Sequence, residues 1–147
     1  MRKITYPVVI VFGLILLSAI PSHNIQKSSI QGVWELVDRY TYDGNHVTDT
    51  IKNTNGYRQI KMYGSDKVMW TRFVPVDSIE WFGYGSYYTT DSALVETLEY
   101  GSNSMMKIID TMRKFKFKLV IDNNSYSQIT LDDQGNPMFS ENYKRLE

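Results

Sequence analysis

The sequence contains no cysteine, only two histidines and only four prolines. Without cysteine there is no disulfide framework, no thiolate zinc site and no thiol nucleophile. Nor is there a thiol after the N-terminal apolar segment to carry a lipid, so a bacterial lipoprotein anchor is excluded. The histidines are His23 and His46, one near the start of the chain and one in a polar stretch. They supply neither a His-rich metal site nor a His-based triad. No catalytic residue, metal site or cofactor is therefore assigned, and the chain is read as a non-enzyme.

Charge of one sign is also scarce: 16 basic residues balance 16 acidic ones. A nucleic-acid footprint needs a concentrated basic face, and none is present. Long hydrophobic runs are missing too. The longest, Val8 to Leu17, is fenced by Pro7 and Pro21, and a membrane-spanning helix needs about 20 apolar residues.

That short run does have a recognisable setting. Arg2 and Lys3 precede it, and Ser18, Ala19 and Ser22 follow, the layout of a cleaved secretory signal peptide. The expected organisation is a signal peptide over 1–22, a polar leader over 23–28 and one folded domain over 29–147. Removing the signal takes Arg2 and Lys3 away and leaves 14 basic against 16 acidic residues. A periplasmic or secreted protein without a membrane span after cleavage is the expectation.

At 147 residues the chain suffices for one domain, which buries roughly two-thirds of its unfolded surface. Its aromatics lean to tyrosine, 11 against six Phe and three Trp. Together with frequent Thr, Ile and Val, they favour half-buried pleated sheet. Gly32 opens a first strand whose two faces are both mixed, as a bending barrel strand requires. Asp43 to Gly56 has no hydrophobic period and reads as a long loop, a common site for lids and binding.

From Tyr57 onward, short β-rich runs alternate with Gly, Asn, Asp and Ser clusters, which marks hairpins. The clearest is Phe115, Phe117, Leu119 and Ile121, alternating with Lys116, Lys118 and Asp122. Asp132-Asp133-Gln134-Gly135 lacks the remaining ligand spacing of a calcium loop and reads as a turn. Ser102 to Lys114 is open between two readings. Met105, Ile108, Ile109 and Met112 stand at helical spacing, yet the next strand can equally begin by Thr111.

The count is eight antiparallel strands in sequence order, with room for a short helix between strands five and six. An all-β, up-and-down barrel removes exposed edges and leaves an interior for side chains or one small ligand.

Gly32-Val33-Trp34, the eight-strand meander and the late Tyr143-Lys144-Arg145 resemble the lipocalin and calycin barrels. Val68-Met69-Trp70-Thr71-Arg72-Phe73, Gly83-Tyr84-Gly85-Ser86-Tyr87-Tyr88, Glu96-Thr97-Leu98-Glu99-Tyr100 and Glu141-Asn142-Tyr143-Lys144-Arg145 are similar to small secreted lipocalin-like bacterial proteins of unknown function. The resemblance covers Ile30 to the C-terminus. It implies that Trp34 plugs the closed end of the barrel and that Arg145 packs across it as a cover.

Candidate cavity residues follow from shared strand faces. Trp70 and Arg72 lie on one face of their strand, and Glu96, Leu98 and Tyr100 on one face of theirs. If both point inward, Arg72 and Glu96 form a buried pair, since interior charges must be paired or meet a ligand. They are otherwise a structural ion pair or outward-facing charges. Tyr87 and Tyr88 face opposite ways, and Tyr87 is taken as the inward one. Gln128 is the polar candidate on the seventh strand, a placement drawn from the family comparison. Gly83 and Gly85 mark a corner or a close approach. Met105, Met106 and Met112 read either as an adaptable apolar lid or as ordinary packing.

The functional expectation is a binding protein for a small apolar or amphipathic molecule held in the barrel. The alternative is an envelope interaction protein with a filled barrel that acts through its loops.

Overall fold

The computed structural model describes residues 28–76 and 79–147. The signal segment over 1–22, and all of the leader except Ser28, lie outside the described residues. Among the described residues the chain forms nine strands and one short helix. They are β1 (Gly32–Asp43), β2 (His46–Lys52), β3 (Arg58–Tyr63), β4 (Lys67–Phe73), β5 (Trp81–Thr89), β6 (Ala93–Gly101), α1 (Asn103–Ile109), β7 (Lys114–Ile121), β8 (Ser125–Leu131) and β9 (Pro137–Arg145). All belong to one antiparallel sheet, and pairing of β1 with β9 closes it into a ring.

The ring is an up-and-down barrel with eight strand positions. Gly32–Glu35 of β1 pairs with β3, while Asp38–Asp43 of the same strand pairs with β2. Thus β2 and β3 lie end to end along one edge of β1. The long loop expected between Asp43 and Gly56 is therefore corrected: half of it is β2, returning from a two-residue turn at Gly44, whose φ is +56°. A glycine at the first turn position is a preferred hairpin connection. Every residue of β2 is exposed, so its sequence carries no apolar face to be read.

Two bulges decide which side chains enter the barrel. In β1 the register shifts between Leu36 and Asp38, and one extra residue moves the inward face from even to odd positions. Trp34 and Leu36 are buried in the first half. Arg39 turns inward in the second, toward Tyr57, Gln59 and Glu141. In β6, Gly85 pairs with Leu98 but Tyr84 pairs with Tyr100, leaving Glu99 as the extra residue. A Cβ on Gly85 would stand 2.1 Å from the Thr97 carbonyl oxygen, so only glycine admits this close crossing.

The interior is layered along the barrel axis. At one end Trp34, Leu36, Tyr63, Val68, Leu94, Leu119, Tyr126 and Tyr143 pack as a solid core. At the other, Trp70, Leu98, Met105 and Ile109 form a smaller cluster, with Trp81, Met106 and Phe115 against it.

Between β6 and β7 the chain resolves the open choice at Ser102 to Lys114 as a helix. Ser102 caps α1, its hydroxyl accepting from the Met105 amide at 3.3 Å, which satisfies one of the orphan donors of the first turn. Met105 and Ile109, four residues apart, bury the face that meets β5 and β6. The methionine cluster is split by this geometry. Met105 is buried, Met106 packs beside it, and Met112 is exposed beyond the helix.

Candidate functional site

One end of the barrel is closed by Trp34 and Arg145. Trp34 is fully buried and donates from Nε1 to the Ile30 carbonyl at 2.7 Å. The Arg145 guanidinium lies 4.0 Å from the Trp34 ring centroid. Its nitrogens donate to the carbonyls of Ser29, Gln31 and Asn123, each at 2.7 Å. A cation stacked on an aromatic face contributes about 0.5–2 kcal/mol, and here it also ties both chain ends of the domain together.

Above this seal stand three tyrosines whose rings belong to the core and whose hydroxyls do not. Tyr126 stacks on Tyr143 at 4.7 Å and meets Trp34 edge-on at 4.8 Å. The hydroxyls of Tyr63 and Tyr143 donate to Glu96 and Glu141, at 2.5 Å and 2.7 Å. Burial pushes the phenols of Tyr63, Tyr126 and Tyr143 well above their ordinary titration range. They serve as neutral donors, with apolar bodies and polar tips.

The next layer is a polar network. Lys61 Nζ contacts both carboxylate oxygens of Glu96, at 2.9 and 3.1 Å, and donates to Gln128 Oε1 at 2.8 Å. Gln128 donates in turn to Glu141 at 2.9 Å. Gln59 donates to the Tyr143 hydroxyl at 2.7 Å and accepts from Arg72 Nε at 3.0 Å. Among the described residues no buried side-chain nitrogen or oxygen lacks a partner. A satisfied network of this kind holds its members in one geometry.

Beyond the network lies a cavity of about 220 Å³. Trp70, Leu98, Met105, Phe115, Phe117 and Phe139 form its apolar wall, and Lys61, Arg72, Glu96 and Glu141 reach it from the network side. Gly83 makes the space for one wall. It pairs with Trp70, and a Cβ there would stand 2.7 Å from the indole Nε1. Larger crevices of about 580 and 420 Å³ lie elsewhere, one bounded by Ser28–Gln31 and Tyr87–Asp91, the other by Thr71–Val74 and Ile79–Phe82. Neither gathers the interior network, so the smaller cavity is the candidate site.

Of the residues singled out in the sequence, Trp70, Arg72, Glu96 and Gln128 line this cavity. The expected Arg72–Glu96 pair is corrected: Glu96 is bound by Lys61, while Arg72 meets Gln59 and, at 3.8 Å, Glu141. Tyr100 is corrected too. The Glu99 bulge sends it outward, where it is half exposed and lies 5.2 Å from Tyr84. Tyr87 does point toward the core but at the closed end, against Tyr63, with its hydroxyl on the Gly64 carbonyl at 2.6 Å. It is remote from the cavity because its place on β5 lies beyond Gly85, past the closed-end Val68.

Lys61, Gln59 and Glu141 were not among the sequence candidates. On β3 the buried residues are Gln59, Lys61 and Tyr63, while Met62 is exposed. A polar face turned inward inverts the usual cue. The usable signal was register: Lys61 pairs with Trp70, and Gln59 with Arg72.

Among the described residues, no group of three or more His, Asp or Glu side chains is placed to hold a metal ion, and no helix is long and apolar enough to cross a membrane. No family model and no curated protein sequence matches the chain. The fold is similar to the crystal structure of an uncharacterized protein from Bacteroides eggerthii, at 13% identity and a TM-score of 0.55. That similarity covers 80% of this chain and 99% of the other. At such identity it bears on the fold alone.

Proposed function

We propose that this chain is an exported, lipocalin-like binding protein that holds one small amphipathic molecule in the open half of its barrel. The observation that carries the proposal is the cavity of about 220 Å³ with an apolar wall on one side and a fixed polar network on the other. Pockets commonly combine such walls with a few placed polar groups. The volume limits the guest: a cavity of about 150 Å³ takes a benzene-sized molecule, and drug-sized ligands use roughly 300 Å³ or more. A single ring or a short chain with one polar group fits between these. The lipocalin-like kinship draws support from the closed eight-position ring and from Arg145 stacked on Trp34.

A second reading, an envelope interaction protein acting through its rim, draws on β2, whose residues are all exposed and which pairs with β1 alone.

Methionine-methyl NMR separates the two. Met105 lines the cavity, while Met62 and Met69 lie exposed on β3 and β4. Titrating ring-sized and short-chain amphipaths is expected to shift the Met105 methyl and leave Met62 and Met69 in place. An unmoved Met105 at millimolar concentrations of every compound would remove the cavity reading in favour of the rim.

A further inference from the structure

The donors and acceptors around the cavity do not balance, and the imbalance has a sign. Glu141 is crowded with donors: Tyr143 Oη at 2.7 Å, Gln128 Nε2 at 2.9 Å and Gln59 Nε2 at 3.3 Å. Arg39 and Arg72 both approach it as well, at 3.9 and 3.8 Å. Glu96 is likewise engaged, by Lys61 and Tyr63. Both carboxylates are thus already engaged by cations and neutral donors of the protein itself.

The guanidinium of Arg72 stands on the other side of the account. Its Nε is used by Gln59, but among the described residues its terminal nitrogens make no hydrogen bond, and its one ion-pair contact is the distant Glu141. Arg39 is different, since its terminal nitrogens are committed to Asn53, Tyr57 and Gln59. Among the described residues, three interior cations, Arg39, Lys61 and Arg72, thus face two carboxylates. Arg72 is only partly covered, with 31% of its side chain exposed, and it borders the cavity between the rings of Trp70 and Trp81, at 6.0 and 5.7 Å. Aromatic flanks hold a guanidinium in place while leaving its planar fork open.

Resting on the binding reading above, we propose that the ligand is a small monocarboxylate, with its carboxylate on the terminal nitrogens of Arg72 and its apolar body against Leu98, Met105, Phe115 and Phe117. A carboxylate takes two parallel hydrogen bonds from such a fork. It also restores charge balance at the mouth, which a neutral or cationic guest does not.

The test is calorimetric titration of the folded domain at pH 7 with three probes of one size: benzoate, benzamide and benzylamine. Benzoate is expected to bind on the order of tenfold or more tightly than benzamide, the scale of a charge-assisted hydrogen bond, and benzylamine more weakly than both. Arg72→Gln is expected to abolish the preference for benzoate over benzamide. Arg72→Lys, which keeps charge but loses the fork, should retain part of it. Equal binding of benzoate and benzamide, or a preference that survives Arg72→Gln, overturns the carboxylate assignment and leaves the binding reading standing. Absence of binding by all three probes overturns both.

Discussion

The two halves of this barrel share most of their strands, yet one is full and the other is not. In the closed half, Tyr126 packs directly against both Trp34 and Tyr143, and Arg145 covers the end. In the open half, Trp70 stands against Gly83, and α1 brings Met105 and Ile109 over the remaining wall. At one end Tyr126, stacked on Tyr143 and edge-on to Trp34, helps to consume the interior, while at the other Trp70 lies over Gly83 and the space beside it stays open. The polar layer between them, centred on Lys61, Glu96 and Gln128, keeps the halves distinct because none of its members can move without stranding a buried partner.

Substitution of one tryptophan in each half tests that contrast most strongly. Trp34→Ala is expected to cost about 3–5 kcal/mol, since it opens a void in a packed region. Trp70→Ala should cost at least about 1 kcal/mol less, because one side of the indole already faces empty space and has fewer contacts to lose. Urea unfolding of both variants gives the comparison, and equal losses would mean that the open half is packed like the closed one.

The boundary layer supplies an effect of comparable size. Lys61→Met strands Glu96 with 4% of its side chain exposed, and a buried charge deprived of its partner costs about 3–5 kcal/mol. Adding Glu96→Gln removes the charge and leaves an acceptor for Tyr63. The double variant should recover at least half of the loss. If it recovers nothing, the pair is not the unit that holds the two halves apart.

The architecture was largely legible in the chain, because most of its strands announce themselves. Phe115, Phe117, Leu119 and Ile121 alternate cleanly and do face inward. The turn clusters at Gly64, Asp91, Asn123 and Asp132 close hairpins. The Asp132 carboxylate, for example, accepts from the amides of Gln134 and Asn136 at 3.0 and 2.7 Å. What stayed hidden had two physical causes. A bulge changes which face a residue occupies without changing the pattern, and that is how Tyr100 leaves the barrel and Arg39 enters it. Interior polarity inverts the cue, so β3 carries Gln59 and Lys61 inside and Met62 outside.

The same inversion misdirected the ion pair. Arg72 and Glu96 were the visible charges on inward faces, and each is indeed at the cavity. Their partners, Glu141 and Lys61, lie on β9 and β3. Only the closed register of the ring brings those strands into reach. Pairing across a barrel is a long-range property, absent from any local pattern.

The most direct test of a barrel with one filled and one receptive half is native mass spectrometry of the protein purified, without denaturation, from its native cells. The account predicts a reproducible non-covalent adduct of small mass that is lost on denaturation and is absent from an Arg72→Gln, Trp70→Ala double variant. An adduct-free protein, together with no adduct at millimolar benzoate, would contradict it.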